Sequence, residues 1–127
     1  MNDKPKILYV DDEVINLQLF EINFCGKYEV LTADRGMKAL EILANNLDVV
    51  VVVSDMKMPH MDGLEFIKRA KERHPNIKFY ILTGFEITKE IQEAINSKII
   101  LKYFMKPFNI SEIDAAIIEA IGKEKNK

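Results

Sequence analysis

The sequence predicts a doubly wound α/β fold, in which a five-stranded parallel sheet is flanked by five helices. Five short apolar runs, rich in β-branched and aromatic residues, have the composition of strands. Between and after these runs lie stretches in which apolar residues recur at helical spacing. The first, third and fourth runs are almost continuously hydrophobic, which indicates burial on both faces, as in a parallel sheet covered by helices.

The apolar residues place each element in order along the chain. The predicted strands cover residues 7–10, 29–32, 49–53, 79–82 and 99–105. The helices are marked in turn by Val14, Leu17, Phe20 and Phe24; Met37, Leu40 and Leu43 or Ala44; Leu64, Ile67 and Ala70; Ile87, Ile91 and Ile95; and Ile113, Ile117 and Ile121. Thr88 is the expected N-cap of the fourth helix, and Asn109 with Glu112 resembles a capping box before the fifth.

The chain has 127 residues, which is the size of one domain. We expect residues 1–122 to form that domain, since they contain no repeat and no linker-like tract. Residues 123–127 are almost all charged, and we expect a solvated tail or the start of a linker to a further module.

Composition excludes several classes of protein. Eighteen Lys and Arg against 20 Asp and Glu give a net charge of −2, too balanced for bulk attraction to nucleic acid or acidic lipid. No apolar run is long enough to cross a membrane, and we expect no secretion signal because the N-terminal residues are polar. The single cysteine, Cys25, cannot form an internal disulfide, so a reducing cytoplasm is expected. Its position beside Phe24 predicts a small buried hydrophobe.

Polar side chains follow the predicted strands. Asp11 and Asp12 follow the first strand, Asp55 the third, Thr83 the fourth and Lys106 the fifth. Because the carboxyl ends of parallel strands meet at one edge of a sheet, these side chains are expected to lie close together. Each could alone be a helix cap, a turn residue or a solvated surface group. These structural interpretations must be made separately for each residue, and they do not explain why all five polar residues follow strand ends.

The chemistry of this set favours a cation and a phosphoryl group. Two carboxylates about 4 Å apart repel by roughly 4 kcal/mol at an effective dielectric constant near 20. Clustered Asp11, Asp12 and Asp55 therefore require a cation or an added proton. Several carboxylate oxygens suit Mg²⁺, which would also neutralise charge on an incoming phosphoryl group. Lys106 and Thr83 offer an amine and a hydroxyl for phosphoryl oxygens.

The chain closely resembles the receiver domain of two-component response regulators, including the chemotaxis regulators. The matching motifs are residues 6–13, 55–63, 82–84 and 103–108, so the resemblance spans nearly the whole chain. It implies a flavodoxin-like sheet with strand order 2-1-3-4-5. It also implies a phosphorylation-activated signalling switch that acts with a sensor histidine kinase or a phosphotransfer protein.

The resemblance assigns roles to individual residues. Asp55 would be the phosphoacceptor, and Asp12 and Asp55 would bind Mg²⁺ directly. Asp11 would help through water, and the backbone carbonyl of Lys57 would be a further ligand. Thr83 and Lys106 would hold the phosphoryl oxygens.

Further implications concern the switch. Tyr103 occupies the place of the family's rotating switch aromatic, although a half-buried strand residue is the plainer interpretation. The Lys106–Pro107 bond would be cis. The face formed by the fourth helix, fifth strand and fifth helix would change shape on phosphorylation. The side chains of Lys57 and Phe85 occupy positions that tune phosphoryl lifetime in the family.

Two departures from the family pattern stand out. Asp48 lies seven residues before Asp55, which suggests that the third strand or its entry is two residues longer than usual. Ile99 and Ile100 stand where a Gly-Ala pair is common, which puts that turn's geometry in question. They are expected to add apolar surface to the output face, as a partner or dimer contact.

Two other functions compete with the switch. A receiver-like adaptor that is never phosphorylated would be favoured by loss of a site residue, but all of them are present. A Mg²⁺-dependent aspartyl-phosphate phosphohydrolase would commonly carry an acid two residues after its nucleophile, where Lys57 stands. We therefore expect no enzyme activity beyond self-phosphorylation and autodephosphorylation. The sequence does not identify the kinase, the output partner, a fused output domain or a phosphorylation-dependent homodimer.

Overall fold

The structure is a computed structural model that describes residues 4–84 and 87–125, with side chains to residue 122. Its sheet has five parallel strands in the order β2-β1-β3-β4-β5, as expected. The strands are β1 (Lys6–Val10), β2 (Glu29–Ala33), β3 (Val49–Asp55), β4 (Lys78–Thr83) and β5 (Lys102–Met105). Phe85 lies outside the described residues.

Five helices alternate with the strands, which confirms the predicted fold class. They are α1 (Val14–Phe24), α2 (Gly36–Asn45), α3 (Gly63–Arg73), α4 (Lys89–Asn96) and α5 (Ile110–Lys125). The backbone of α5 therefore continues three residues into the predicted tail, and residues 126–127 lie outside the described part of the chain. None of the described helices has the length and apolarity needed to cross a membrane.

Two hydrophobic layers cover the two faces of the sheet. The layer under α1 and α5, called the aromatic layer here, contains most of the buried aromatic side chains, among them Tyr9, Phe20 and Phe24. The layer under α2, α3 and α4 is largely aliphatic and includes Leu43, Ile67, Ile91 and other Leu, Ile, Val and Ala side chains. Successive residues of a strand point to opposite faces, so the central strands supply side chains to both layers. This double burial explains their nearly unbroken apolar sequence.

The two extra residues predicted between Asp48 and Asp55 affect the N-terminal end of β3, opposite the end that carries Asp55. Lys6 pairs with Val49, whereas Ile7 pairs with Val51, so Val50 is an additional residue at a register shift. Lys6 also forms an ion pair with Asp48, with the Nζ and Oδ1 atoms 3.0 Å apart. The departure is thus absorbed where β3 begins, away from the carboxyl ends of the strands.

Side-chain caps begin α4 and α5 where the sequence predicts them. The Thr88 hydroxyl accepts a hydrogen bond from the Ile91 amide at 3.2 Å. The Asn109 side chain accepts one from the Glu112 amide at 3.0 Å. Each cap satisfies an amide that has no partner within the first turn of its helix.

The predicted start of the fifth strand is wrong, and so is the expected exposure of Ile100. β5 begins at Lys102, and the preceding residues form the turn from α4. Ile100 is only 1% exposed, and both isoleucines pack in the aliphatic layer. Burying these side chains in the core stabilises the fold more than extending β5 by further residues would. Ile99 is half-buried and Leu101 is 40% exposed, so these two residues of the turn contribute apolar surface.

The turn after α4 depends on Lys98, whose φ of 63° is left-handed. In this conformation the Lys98 amide donates to the Ile95 carbonyl and the Ile99 amide donates to the Ala94 carbonyl, which closes the helix. A side chain makes the left-handed conformation costly, whereas glycine adopts it freely.

Lys98→Gly is therefore expected to raise the free energy of unfolding by about 1 kcal/mol. Urea unfolding of the wild type and the variant would measure the difference. Lys98→Ala is the control, because it removes the same amine but keeps the Cβ atom. An equal gain from alanine would contradict the backbone explanation.

α1 carries apolar residues around most of its circumference. Phe20 and Phe24 are buried, as predicted, but Val14 is 59% exposed and Ile22 is exposed on the outer side. Apolar spacing alone therefore does not identify the inner face of this helix. The prediction that Cys25 is buried is also wrong, since this residue is exposed at the C-cap.

Candidate functional site

The sheet brings the predicted polar residues to one edge. Asp11 directly follows β1, Asp55 ends β3, Thr83 ends β4 and Lys106 directly follows β5. Asp11, Asp55 and Thr83 are buried despite their polarity. Asp12 is exposed, so the cluster opens to solvent on one side. The expected juxtaposition at the carboxyl ends of the strands is therefore present.

Three carboxylates form the centre of this site. Asp11, Asp12 and Asp55 each offer a carboxylate oxygen, and these three oxygens all lie within 4.8 Å of one another. Such a group of hard oxygen ligands, partly open to water, has the chemistry that Mg²⁺ prefers. The donor set thus fits the cation that the sequence predicts. The exposed residue Lys57 lies in the loop that follows Asp55.

Lys106 reaches the same group of acids. Its Nζ atom lies 3.0 Å from Oδ1 of Asp55, and the Asp55 side chain is only 5% exposed. The Lys106 amide donates to the Thr83 carbonyl at 2.8 Å, which fixes the amine-bearing residue beside β4. The Lys106–Pro107 bond is cis, as the family resemblance implies.

Burial dominates the electrostatics of Asp55. It raises the pKa of this carboxyl above its ordinary value, and the nearby charges of Asp11 and Asp12 act in the same direction. The hydrogen bond from Lys106 opposes these effects without cancelling them. Burial also disfavours the charged amine, but its interactions with Asp55 prevail and the pKa of Lys106 is raised. The site therefore has unneutralised negative character that a divalent cation would relieve.

Sequence reasoning missed two side chains that hold Asp11. The Tyr9 hydroxyl donates to Oδ2 of Asp11 at 2.7 Å, and the Asn16 amide nitrogen donates to the same oxygen at 3.2 Å. Burial, helped by the Asp11 hydrogen bond, raises the pKa of the Tyr9 hydroxyl, so it stays protonated as a donor. The sequence did contain a sign of the Tyr9 contact, because residues two apart on an extended strand, such as Tyr9 and Asp11, point to the same side.

The loop after Asp55 closes back onto the strand end. The Gly63 amide donates to the Met56 carbonyl at 2.8 Å, and the Asp62 side chain caps α3 by accepting from the Glu65 amide at 2.8 Å. A Cβ atom on Gly63 would collide with the Asp55 carbonyl oxygen and lie 3.0 Å from Ile81 Cδ1. The sequence alone does not reveal the close approach of Gly63 to Asp55, because that contact depends on how α3 packs against the end of β3.

Tyr103 lies on β5, beside the site. It pairs with Ile81 of β4, is half-buried and packs against the aliphatic layer. This position agrees with the plain strand interpretation and leaves the predicted switch role untested. Gly84 is exposed next to Thr83, and a Cβ atom added to it would meet the Lys106 side chain at an ordinary contact distance of 3.6 Å.

Comparison with known proteins identifies the family. The chain belongs to the response regulator receiver domain family, whose model matches residues 7–118. The resemblance inferred from the motifs is thereby confirmed, and so is the flavodoxin-like strand order.

The matches to individual relatives cover different shares of those proteins. The sporulation initiation phosphotransferase F of Bacillus subtilis strain 168 is 36% identical over 127 residues, which cover 99% of each chain. The uncharacterized transcriptional regulatory protein YesN of the same strain is 32% identical, but the match covers 96% of this chain and 34% of that protein. The crystal structure of a response regulator receiver domain protein from Clostridium thermocellum superposes with a TM-score of 0.88, at 32% identity over 94% of this chain and 96% of that one.

Proposed function

We propose that this chain is a phosphorylation-activated switch in which Asp55 accepts a phosphoryl group from a phosphohistidine. The donor would be a sensor histidine kinase or a phosphotransfer protein, the partners of receiver domains. One observation carries this proposal. The buried Asp55 carboxylate lies among two further carboxylates and 3.0 Å from the Lys106 amine, at the edge where strand ends meet.

Mg²⁺ is the proposed cofactor. Asp12 and Asp55 would bind the ion directly, Asp11 would help through water, and the Lys57 backbone carbonyl would complete the protein ligands. Bound there, the ion would neutralise charge as the phosphoryl group is transferred. The mutual proximity of the three carboxylate oxygens supports this assignment.

The chain's own groups would carry out the transfer. A carboxylate oxygen of Asp55 attacks the phosphorus atom, the P–N bond to the donor imidazole breaks, and its electron pair returns to the imidazole nitrogen. Lys106 now pairs with Oδ1 of Asp55. When the Asp55 carboxylate becomes an acyl phosphate, the Lys106 amine would move to a phosphoryl oxygen, because that oxygen bears more negative charge than the phosphorylated carboxyl group.

Thr83 and Lys106 would then convert the modification into a change of shape. Their contacts to phosphoryl oxygens exist only in the modified state, and each would contribute about 1.5 to 3 kcal/mol. A shift from 1:99 to 99:1 between two conformations needs roughly 5.5 kcal/mol. Two such contacts approach this amount. Tyr103 would follow the Thr83 loop, and the face formed by α4, β5 and α5 would present a new surface.

The output of the switch is a separate question. The match to YesN covers only 34% of that regulator, so receiver domains of this kind also occur inside longer proteins. We propose either a separate partner or a fused output domain as the recipient of the signal, with a phosphorylation-dependent homodimer as one route. We propose no enzyme activity beyond self-phosphorylation and autodephosphorylation. The adaptor and phosphohydrolase alternatives gain no support from the geometry.

Phosphorylation should depend on Mg²⁺. Incubation of the chain with a small acyl phosphate and Mg²⁺ is expected to add one phosphoryl group, observed by intact-protein mass spectrometry. Chelation of the metal before the donor is added should prevent the mass gain, because the clustered carboxylates repel the anionic donor. Labelling that is unaffected by chelation would contradict the proposed metal site.

A further inference from the structure

The carboxylate of Asp11 is held by three donors of the chain itself. Oδ1 accepts from the Glu13 amide at 3.0 Å, and Oδ2 accepts from the Tyr9 hydroxyl at 2.7 Å and from Asn16 at 3.2 Å. A carboxylate has about four acceptor positions, two on each oxygen. Both positions on Oδ2 are therefore used, and one position on Oδ1 remains for another ligand.

Packing fixes the direction of the Tyr9 hydroxyl independently of the acids. Tyr9 is 1% exposed and lies on β1 beneath α1. Its ring stacks on Phe20 with centroids 4.1 Å apart and planes 3° apart. Phe20 in turn stacks on Phe24 and meets the edge of Phe108. The ring therefore cannot swing aside without disturbing this aromatic layer, and its hydroxyl is a preset donor.

We infer that Tyr9 is a positioning residue for cation binding, whose hydroxyl holds the Asp11 carboxylate so that the open position on Oδ1 is kept for the cation or its bound water. The inference rests on the proposed function, since it assigns Mg²⁺ to the acidic cluster. Without this hydrogen bond, Oδ2 keeps only the longer bond from Asn16, a half-buried helix residue. The carboxylate is then freer to rotate away from Asp12 and Asp55, which repel it in the metal-free state.

The test compares two tyrosine-to-phenylalanine variants in the full chain. Tyr9→Phe removes the hydroxyl that holds Asp11 and keeps the stacked ring. Tyr80→Phe is the matched control. Tyr80 is also buried in the aromatic layer, but its hydroxyl donates to the Ala116 backbone carbonyl at 3.4 Å.

Titration calorimetry with MgCl₂ alone would measure the affinity of each protein. Tyr9→Phe is expected to bind Mg²⁺ up to about ten-fold more weakly, the lower end of the loss when a partner of a direct metal ligand is removed, because Asp11 would act on the ion through water. Tyr80→Phe should bind as tightly as the wild type. Urea unfolding with and without Mg²⁺ gives a second readout, since the ion should stabilise Tyr9→Phe less than the control.

The possible outcomes separate this inference from the proposed function. Wild-type affinity in Tyr9→Phe, tighter binding, or an equal loss in Tyr80→Phe would overturn the positioning role and leave the metal site intact. Absence of Mg²⁺ binding in the wild type would overturn the proposed cofactor, and this inference with it. Should Tyr9→Phe prove unfolded in urea titrations, Asn16→Ala probes the same Asp11 oxygen. It is expected to weaken Mg²⁺ binding, and unchanged binding would count against the inference.

Discussion

Asp55→Asn is expected to abolish phosphorylation of the chain by a small acyl phosphate in the presence of Mg²⁺. The neutral amide lacks the nucleophilic carboxylate oxygen, and it removes one of the three carboxylates of the cluster. Intact-protein mass spectrometry should show complete loss of the added phosphoryl group. No larger effect of a single substitution on activity is expected, because the variant removes the reacting atom itself.

A matched control distinguishes the acceptor from aspartates in general. Asp34 lies outside the cluster and forms an ion pair with its neighbour Arg35. Asp34→Asn should therefore be phosphorylated like the wild type. Persistent labelling of Asp55→Asn would reject Asp55 as the acceptor, and peptide mapping would then locate the true one.

Gly63→Ala is expected to have the largest effect on stability, lowering the free energy of unfolding by about 3 kcal/mol. The added methyl group would collide with the backbone carbonyl of Asp55, which is held in β3 and cannot move as a flexible side chain would. Urea unfolding at neutral pH would measure the loss. Slower phosphorylation should accompany it, because the loop and the acceptor would shift together.

Gly26→Ala is the control for this substitution. A Cβ atom on Gly26 meets none of the described atoms within 4 Å, and its backbone is not left-handed. This variant should match the wild type or gain about 0.4 to 1 kcal/mol through reduced freedom of the unfolded chain. If Gly63→Ala were as stable as the wild type, the prediction would be wrong, because α3 would then move away from the end of β3 without a measurable loss of stability.

The fold and the main site residues could be predicted because both depend on simple periodic rules. Strand and helix patterns alternate along the chain, and parallel strands deliver whatever follows them to a common edge. Asp11, Asp55, Thr83 and Lys106 were therefore predicted to lie together, and the structure places them together. The residue types themselves indicated a cation and a phosphoryl group, whereas the family resemblance assigned the phosphoacceptor and the metal ligands individually.

Features set by tertiary contacts could not be predicted. Ile99 and Ile100 look like strand residues, because a short apolar run has no period that separates a strand from a buried turn. The left-handed conformation of Lys98 could not be predicted, because lysine has no particular preference for a positive φ. The hydroxyl of Tyr9 could have been noticed from its two-residue spacing to Asp11, but its aromatic ring made it look like an ordinary core residue.

α4 is the shortest of the described helices, and only Ile91 and Ala94 on it are buried. Segments held by so little apolar surface open at a smaller free-energy cost than the centre of a domain. We therefore expect α4 to open locally at a lower free-energy cost than the central strands, which hold the acids. Since α4 belongs to the face that would change shape on phosphorylation, a small difference in free energy would be enough to favour one arrangement of this helix over another.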